Sequence, residues 1–105
     1  MAEGFVLVAK VGDIAVGQFK AVQVQGTHML VCRTAEGFYA VDDVCTHDDG
    51  PLADGWLEGK AIECPRHGAR FDVTTGAVLC LPAAMPIRSY PVTVDGDDIT
   101  VLVKG

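Results

Sequence analysis

Short apolar runs alternate with turn residues along this chain, with a break about every eight to twelve residues, and that spacing is the signature of an all-β domain. Positions 5–11 make the first run, closed by Gly12-Asp13, and 17–25 make the second. Gly26-Thr27 turns it into 28–33, and Ala35-Glu36-Gly37 turns that run into 38–41. Further on, 60–63 and 70–73 are short and strand-like, and Thr74-Thr75-Gly76 leads into 77–81. The C-terminal hairpin is the clearest, with 89–94, the turn Asp95-Gly96-Asp97-Asp98 and then 99–103. There Ile99, Val101 and Val103 alternate with Thr100, Leu102 and Lys104, the period of two that a half-buried strand requires. No segment carries a sustained helical period. The stretch LPAAMP at 81–86 is an exception to the strand pattern, because its two prolines forbid a central strand and stiffen the backbone. It reads as a rigid crossover between hairpins.

Length and charge narrow the picture. The 105 residues fit one domain spanning 1–105, large enough to bury a core without disulfides. Half of the residues are hydrophobic and 21% are charged, an ordinary globular balance. The net charge of −6, from 8 basic and 14 acidic residues, argues against a nucleic-acid partner, which would want a basic face. It is compatible with steering toward a basic protein surface. Nothing approaches the roughly 18 apolar residues of a membrane span. The N-terminus has Glu3 before a short apolar run and no positive n-region, so no secretory signal is read there and a cytoplasmic location is expected.

Four cysteines in such a chain point to metal or redox chemistry before disulfides. Cys32, inside HMLVC, and Cys80, after Ala77-Val78-Leu79, read as small buried hydrophobes. Cys45 and Cys64 differ, because each has a histidine beside it in turn-rich sequence: Cys45-x-His47 and Cys64-x-x-His67, with sixteen residues between His47 and Cys64. Two such loops could meet as jaws around a metal centre. Zinc, mononuclear iron and an iron–sulfur cluster all remain open for a Cys2His2 set. Zinc fingers, however, usually place their cysteines together and their histidines together. The order here gives each loop one thiolate and one imidazole, which suits a [2Fe–2S] rhomb with both thiolates on one iron and both imidazoles on the other. A Cys-His nucleophile pair does not explain the duplication.

Cys-Thr-His at the first loop and Cys-Pro-x-His-Gly at the second resemble the Rieske iron–sulfur domain, and the likeness runs through nearly the whole chain. It implies an antiparallel β-sandwich or barrel of about nine to ten short strands, with a cluster-binding subdomain at roughly 43–72 and a proline loop at 81–86 beside the cluster. It implies a [2Fe–2S] cluster with Cys45 and Cys64 on an inner iron. His47 and His67 would bind the outer iron near the surface, through their Nδ1 atoms, and pass the electron out. Replacing two thiolates by neutral imidazoles removes negative charge and raises the potential. Gly50, Gly68 and the turn at Asp48-Asp49 would allow backbone N–H groups to point at the sulfurs.

Departures from the respiratory branch of that family matter. Where that branch carries two further cysteines, this chain has Gly50 and Arg66; where it carries a serine and a tyrosine that donate to the cluster, this chain has Ala69 and Phe71. The resemblance therefore implies a low-potential carrier, at about −150 mV. Pro82 would form one wall of the site. Trp56, in the connection between the loops, would shield the cluster, face a partner or simply pack. Arg66 and Arg70 would contact a partner or balance Asp48, Asp49 and Asp72, and His28 reads as a packed or hydrogen-bonded histidine and not as a ligand. No second cofactor motif, nucleotide-binding loop or mononuclear iron triad accompanies the site, so the chain reads as an electron-transfer component and not as an enzyme.

Within that class it is similar to the ferredoxin component of ring-hydroxylating dioxygenase systems, a monomer taking electrons from a flavin reductase and passing them to a terminal oxygenase near His47 and His67. Small Rieske proteins of nitrite reductase or iron–sulfur assembly, a regulatory Rieske subunit and a zinc-stabilised binding module are the competing readings.

Overall fold

The computed structural model describes residues 3–45, 50–65, 68–80 and 85–104. Eleven strands run through them: β1 (Glu3–Lys10), β2 (Phe19–Val24), β3 (Thr27–Thr34), β4 (Gly37–Asp42), β5 (Trp56–Glu58), β6 (Ala61–Glu63), β7 (Arg70–Asp72), β8 (Val78–Cys80), β9 (Ser89–Tyr90), β10 (Val92–Asp95) and β11 (Asp98–Lys104). Two single 3-10 turns, Val11–Asp13 and Leu52–Asp54, are the only helical elements among the described residues. All pairing is antiparallel, in three sheets ordered β1-β11-β10, β2-β3-β4-β9 and β5-β6-β7-β8. The all-β expectation holds.

The middle sheet is the wall between the other two, and β3 shows why its sequence is a continuous apolar run. Met29, Leu30, Val31 and Cys32 are all fully buried. Leu30 and Cys32 join Val41, Ile62, Phe71 and Val73 in a core shared with the third sheet. The intervening Met29 and Val31 pack toward Val101 and Ile99 of the first sheet. A strand covered on both faces loses the polar alternation that a half-exposed strand keeps.

Two elements differ from the sequence reading. The expected strand 89–94 is split at Pro91: Ser89 and Tyr90 pair with β4, whereas Val92–Asp95 pair with β11. Proline has no N–H to give a ladder, so the chain changes sheets there; the Pro91 carbonyl still accepts from the Leu102 N–H at 2.9 Å. Strand β5 was not expected at all. Its three residues pair with β6 across a turn in which Gly59 takes a φ of 61°, and Lys60 lies in that turn, outside the strand expected to include it.

Candidate metal centre

β4 and β6 deliver the two cysteines. β4 ends at Asp42, and three residues later Cys45 is fully buried; β6 ends at Glu63, and Cys64, the next residue, is fully buried too. Both thiols sit in one core with Leu52, Ala69 and Phe71. The necks of the two loops are built alike. The Cys45 N–H donates to the Gly50 carbonyl at 2.8 Å, and the Cys64 N–H donates to the Ala69 carbonyl, also at 2.8 Å. In each loop the acceptor lies five residues after the cysteine. The repeated Cys/His pattern is thus matched by a repeated backbone closure.

The first loop is fastened to its surroundings by two acidic residues the sequence reading did not single out. The Asp43 carboxylate accepts from the Ala53 N–H at 2.8 Å, at the start of the 3-10 turn, while the Asp43 N–H donates to the His28 carbonyl at 3.0 Å. Asp42 accepts a hydrogen bond from the Tyr90 hydroxyl. An aspartate just before a cysteine motif gives no cue to this role, since its partner is set by the fold.

The second loop is a tighter turn. Gly68 has a φ of 77°, and its N–H donates to the Cys64 carbonyl at 3.0 Å. The Gly68 N–H itself is therefore engaged in closing the turn. Cys80 departs from its expected place as a buried hydrophobe. It is half-buried, and its Sγ lies 3.3 Å from the Gly68 carbonyl as a donor. Cys32, by contrast, is the inert thiol expected, since burial pushes it up to about 12. None of the four cysteines forms a disulfide.

Charge around the second loop is internally arranged. Arg70 is ion-paired with Glu58 and with Glu63, whose Oε1 lies 3.1 Å from Nε. Nε is buried and misaligned for a hydrogen bond at that distance, so Glu63 holds it by charge. Asp72, expected beside Arg70 as its counter-charge, instead has Lys60 at 3.6 Å and accepts from Thr74. Trp56 is 47% exposed on the edge strand β5, so it does not pack into the core. His28 is exposed. His47, Asp48, Asp49, Arg66, His67 and Pro82 lie outside the described residues, as do residues 81–84 of the proline segment.

The donor chemistry fits an iron–sulfur cluster on one observation in particular. Among the described residues, the N–H of fully buried Ala69 meets no acceptor, although its carbonyl is engaged. A buried orphan donor beside a buried thiol is what an anionic sulfur would satisfy.

Comparison with known proteins agrees. The model of the Rieske [2Fe-2S] domain matches residues 4–91. The ferredoxin component of the naphthalene 1,2-dioxygenase system of Pseudomonas aeruginosa is 37% identical over 96% of this chain and 97% of its own length. Among solved structures, the ferredoxin of carbazole 1,9a-dioxygenase from Nocardioides aromaticivorans IC177 superimposes with a TM-score of 0.88 at 38% identity, covering 92% of this chain and 95% of that one. The ferredoxin in a complex of reduced oxygenase and oxidized ferredoxin in carbazole 1,9a-dioxygenase gives 0.87 at 34% identity, over 92% and 91% of the two chains.

Proposed function

Because the chain belongs to the Rieske [2Fe–2S] domain family, we propose that it carries one electron at a time to a terminal oxygenase, with Cys45, His47, Cys64 and His67 as the cluster ligands. When bound, the cluster supplies a site that takes up and releases a single electron. The chain's own residues do the rest. Cys45 and Cys64 are buried in one core, so an iron held by their thiolates would be shielded from water. His47 and His67, two and three residues further along the chain, would supply the imidazoles for the outer iron. The cluster-binding subdomain is taken as roughly 43–72 with the proline loop 81–86, and Gly50, Arg66, Gly68, Ala69, Trp56 and Pro82 are the further residues assigned to it by sequence position.

The matched necks of the two loops carry this reading best, since a duplicated backbone closure behind two buried thiols serves a symmetric pair of jaws. A zinc module would explain the ligand count but not the family. The relatives are named as ferredoxin components of dioxygenase systems and not as their catalytic subunits, which supports a non-catalytic role here. A flavin reductase as electron donor, a monomeric state and a cytoplasmic location complete the proposal. No helix among the described residues is long and apolar enough to cross a membrane.

Anaerobic purification tests it. The protein should be red-brown, hold two irons and two inorganic sulfides per chain, and give a reduced-state EPR signal with an average g below that of the free electron. Mixed with a reduced flavin reductase and an oxidised oxygenase of this class, it should be reduced by the first and reoxidised by the second. Colourless protein with stoichiometric zinc would overturn the assignment.

A further inference from the structure

Cys80 has no part in the ligand set, yet its thiol reaches the second loop. Its Sγ–H donates to the Gly68 carbonyl, 3.3 Å away, across the register in which Cys80 faces Arg70. The consequence lies one atom pair further on. A trans peptide is planar, so its C=O and the following N–H point in opposite directions. With the Gly68 carbonyl held toward β8, the Ala69 N–H of the same peptide points the other way, toward the side on which β6 runs into Cys64. The Ala69 carbonyl does point there, because it accepts from the Cys64 N–H at 2.8 Å. An ordinary antiparallel pair would complete the exchange with an Ala69 N–H bond to the Cys64 carbonyl. That carbonyl is instead taken by the Gly68 N–H at 3.0 Å. The Ala69 N–H is left on the Cys64 side, fully buried, with no acceptor among the described residues.

We infer that Cys80 is a positioning residue of the metal centre: by holding the Gly68 carbonyl outward, it aims the Ala69 N–H as a hydrogen-bond donor to sulfur at Cys64. The inference rests on the cluster reading and adds a donor and the residue that orients it. An N–H directed at a thiolate sulfur stabilises the more negative, reduced state, so loss of its aim lowers the potential. An S–H···O bond is weak by itself. Its leverage is geometric, because it decides between two orientations of one buried peptide.

Two measurements test this. Cys80→Ala, which removes the donor, should keep its cluster and shift the midpoint potential downward. Cys80→Ser, which restores a donor, should return most of that shift. Equal potentials in all three proteins, or equal shifts in both variants, would overturn the inference, because a purely packing role cannot tell Ser from Ala in this way. The second measurement needs no Cys80 variant to load. Wild type labelled with 15N-alanine should show a peptide nitrogen coupling to the reduced cluster by pulsed EPR, and Ala69→Ser, which puts an unlabelled residue there, should abolish it. No such coupling in a fully loaded, red-brown protein would sink the inference and leave the ferredoxin reading intact. A colourless protein would instead overturn the cluster reading on which both depend.

Discussion

A β-carbon placed on Gly55 would lie 1.8 Å from the carbonyl oxygen of Glu63. The backbone of the connection between the loops therefore presses directly on the residue before Cys64. Side chains essentially never approach backbone so closely, and the neighbouring Pro65 ring, at 3.2 Å from the same point, blocks an escape. Gly55→Ala must push the Glu63–Cys64 peptide away or open the 3-10 turn that ends on the Gly55 N–H. A cost of about 3 kcal/mol or more is expected, in the range of severe backbone conflicts. Thermal unfolding should show it, and cluster content per chain should fall in step. Unchanged melting and loading would mean that the contact relaxes freely.

Asp43 is the corresponding fastening on the first loop. Its carboxylate accepts from Ala53 at the start of the 3-10 turn, as a helix cap does. Asp43→Ala should therefore cost about 1 kcal/mol. Asp43→Asn, which keeps an acceptor oxygen, should cost less. Because the turn begins at buried Leu52, beneath Cys45 in the same core, the Ala variant should also lose its cluster faster in the presence of a chelator.

Tyr90 supplies a pH test. Burial, with the adjacent Asp42 carboxylate adding to it, pushes the phenol up to about 12. A group whose folded value is raised contributes stability that is whole below its unfolded value, about 10, and is lost as the pH climbs through the folded one. Wild type should thus lose more stability between pH 10 and 12 than Tyr90→Phe does. Ultraviolet titration should show a phenolate transition near the upper end that the Phe variant lacks. A Tyr90 transition at the ordinary phenol value would contradict the part-buried bond to Asp42.

Local pattern made much of this fold legible. The run HMLVC and the alternation from Ile99 to Val103 each state how many faces of the strand are covered. Strand β5 left no such mark, because three residues beside glycines carry no period; only pairing with Glu63, Ile62 and Ala61 makes them a strand. At the site, residue types pointed to Cys45 and Cys64, whose shared core the structure supplies. Backbone direction was not legible. The glycines suggested backbone N–H donors at the loops without saying which; the Gly68 N–H closes the turn on Cys64 and leaves the Ala69 N–H without an acceptor among the described residues. Cys80 follows an apolar run and reads as filler until the register of β7 and β8 brings it to Gly68.

Ala69 and Phe71 set the last expectation. Both are fully buried in the core that holds Cys45 and Cys64, and neither has a hydroxyl. These two positions therefore offer no side-chain donor to a cluster held by Cys45 and Cys64. Fewer donors leave the extra electron less stabilised, so the midpoint potential is expected near the low end of the Rieske range, about −150 mV. Ala69→Ser and Phe71→Tyr add one hydroxyl each at these positions. A hydrogen bond to a charged group contributes about 1.5–3 kcal/mol net, and only the difference between oxidation states appears in the potential. Each variant should therefore move it upward, with the double variant above either single one. Protein-film voltammetry on the four proteins measures this directly. A wild-type value above zero, or hydroxyl variants that stay at the wild-type value while retaining their clusters, would show that something other than these two missing donors sets the potential.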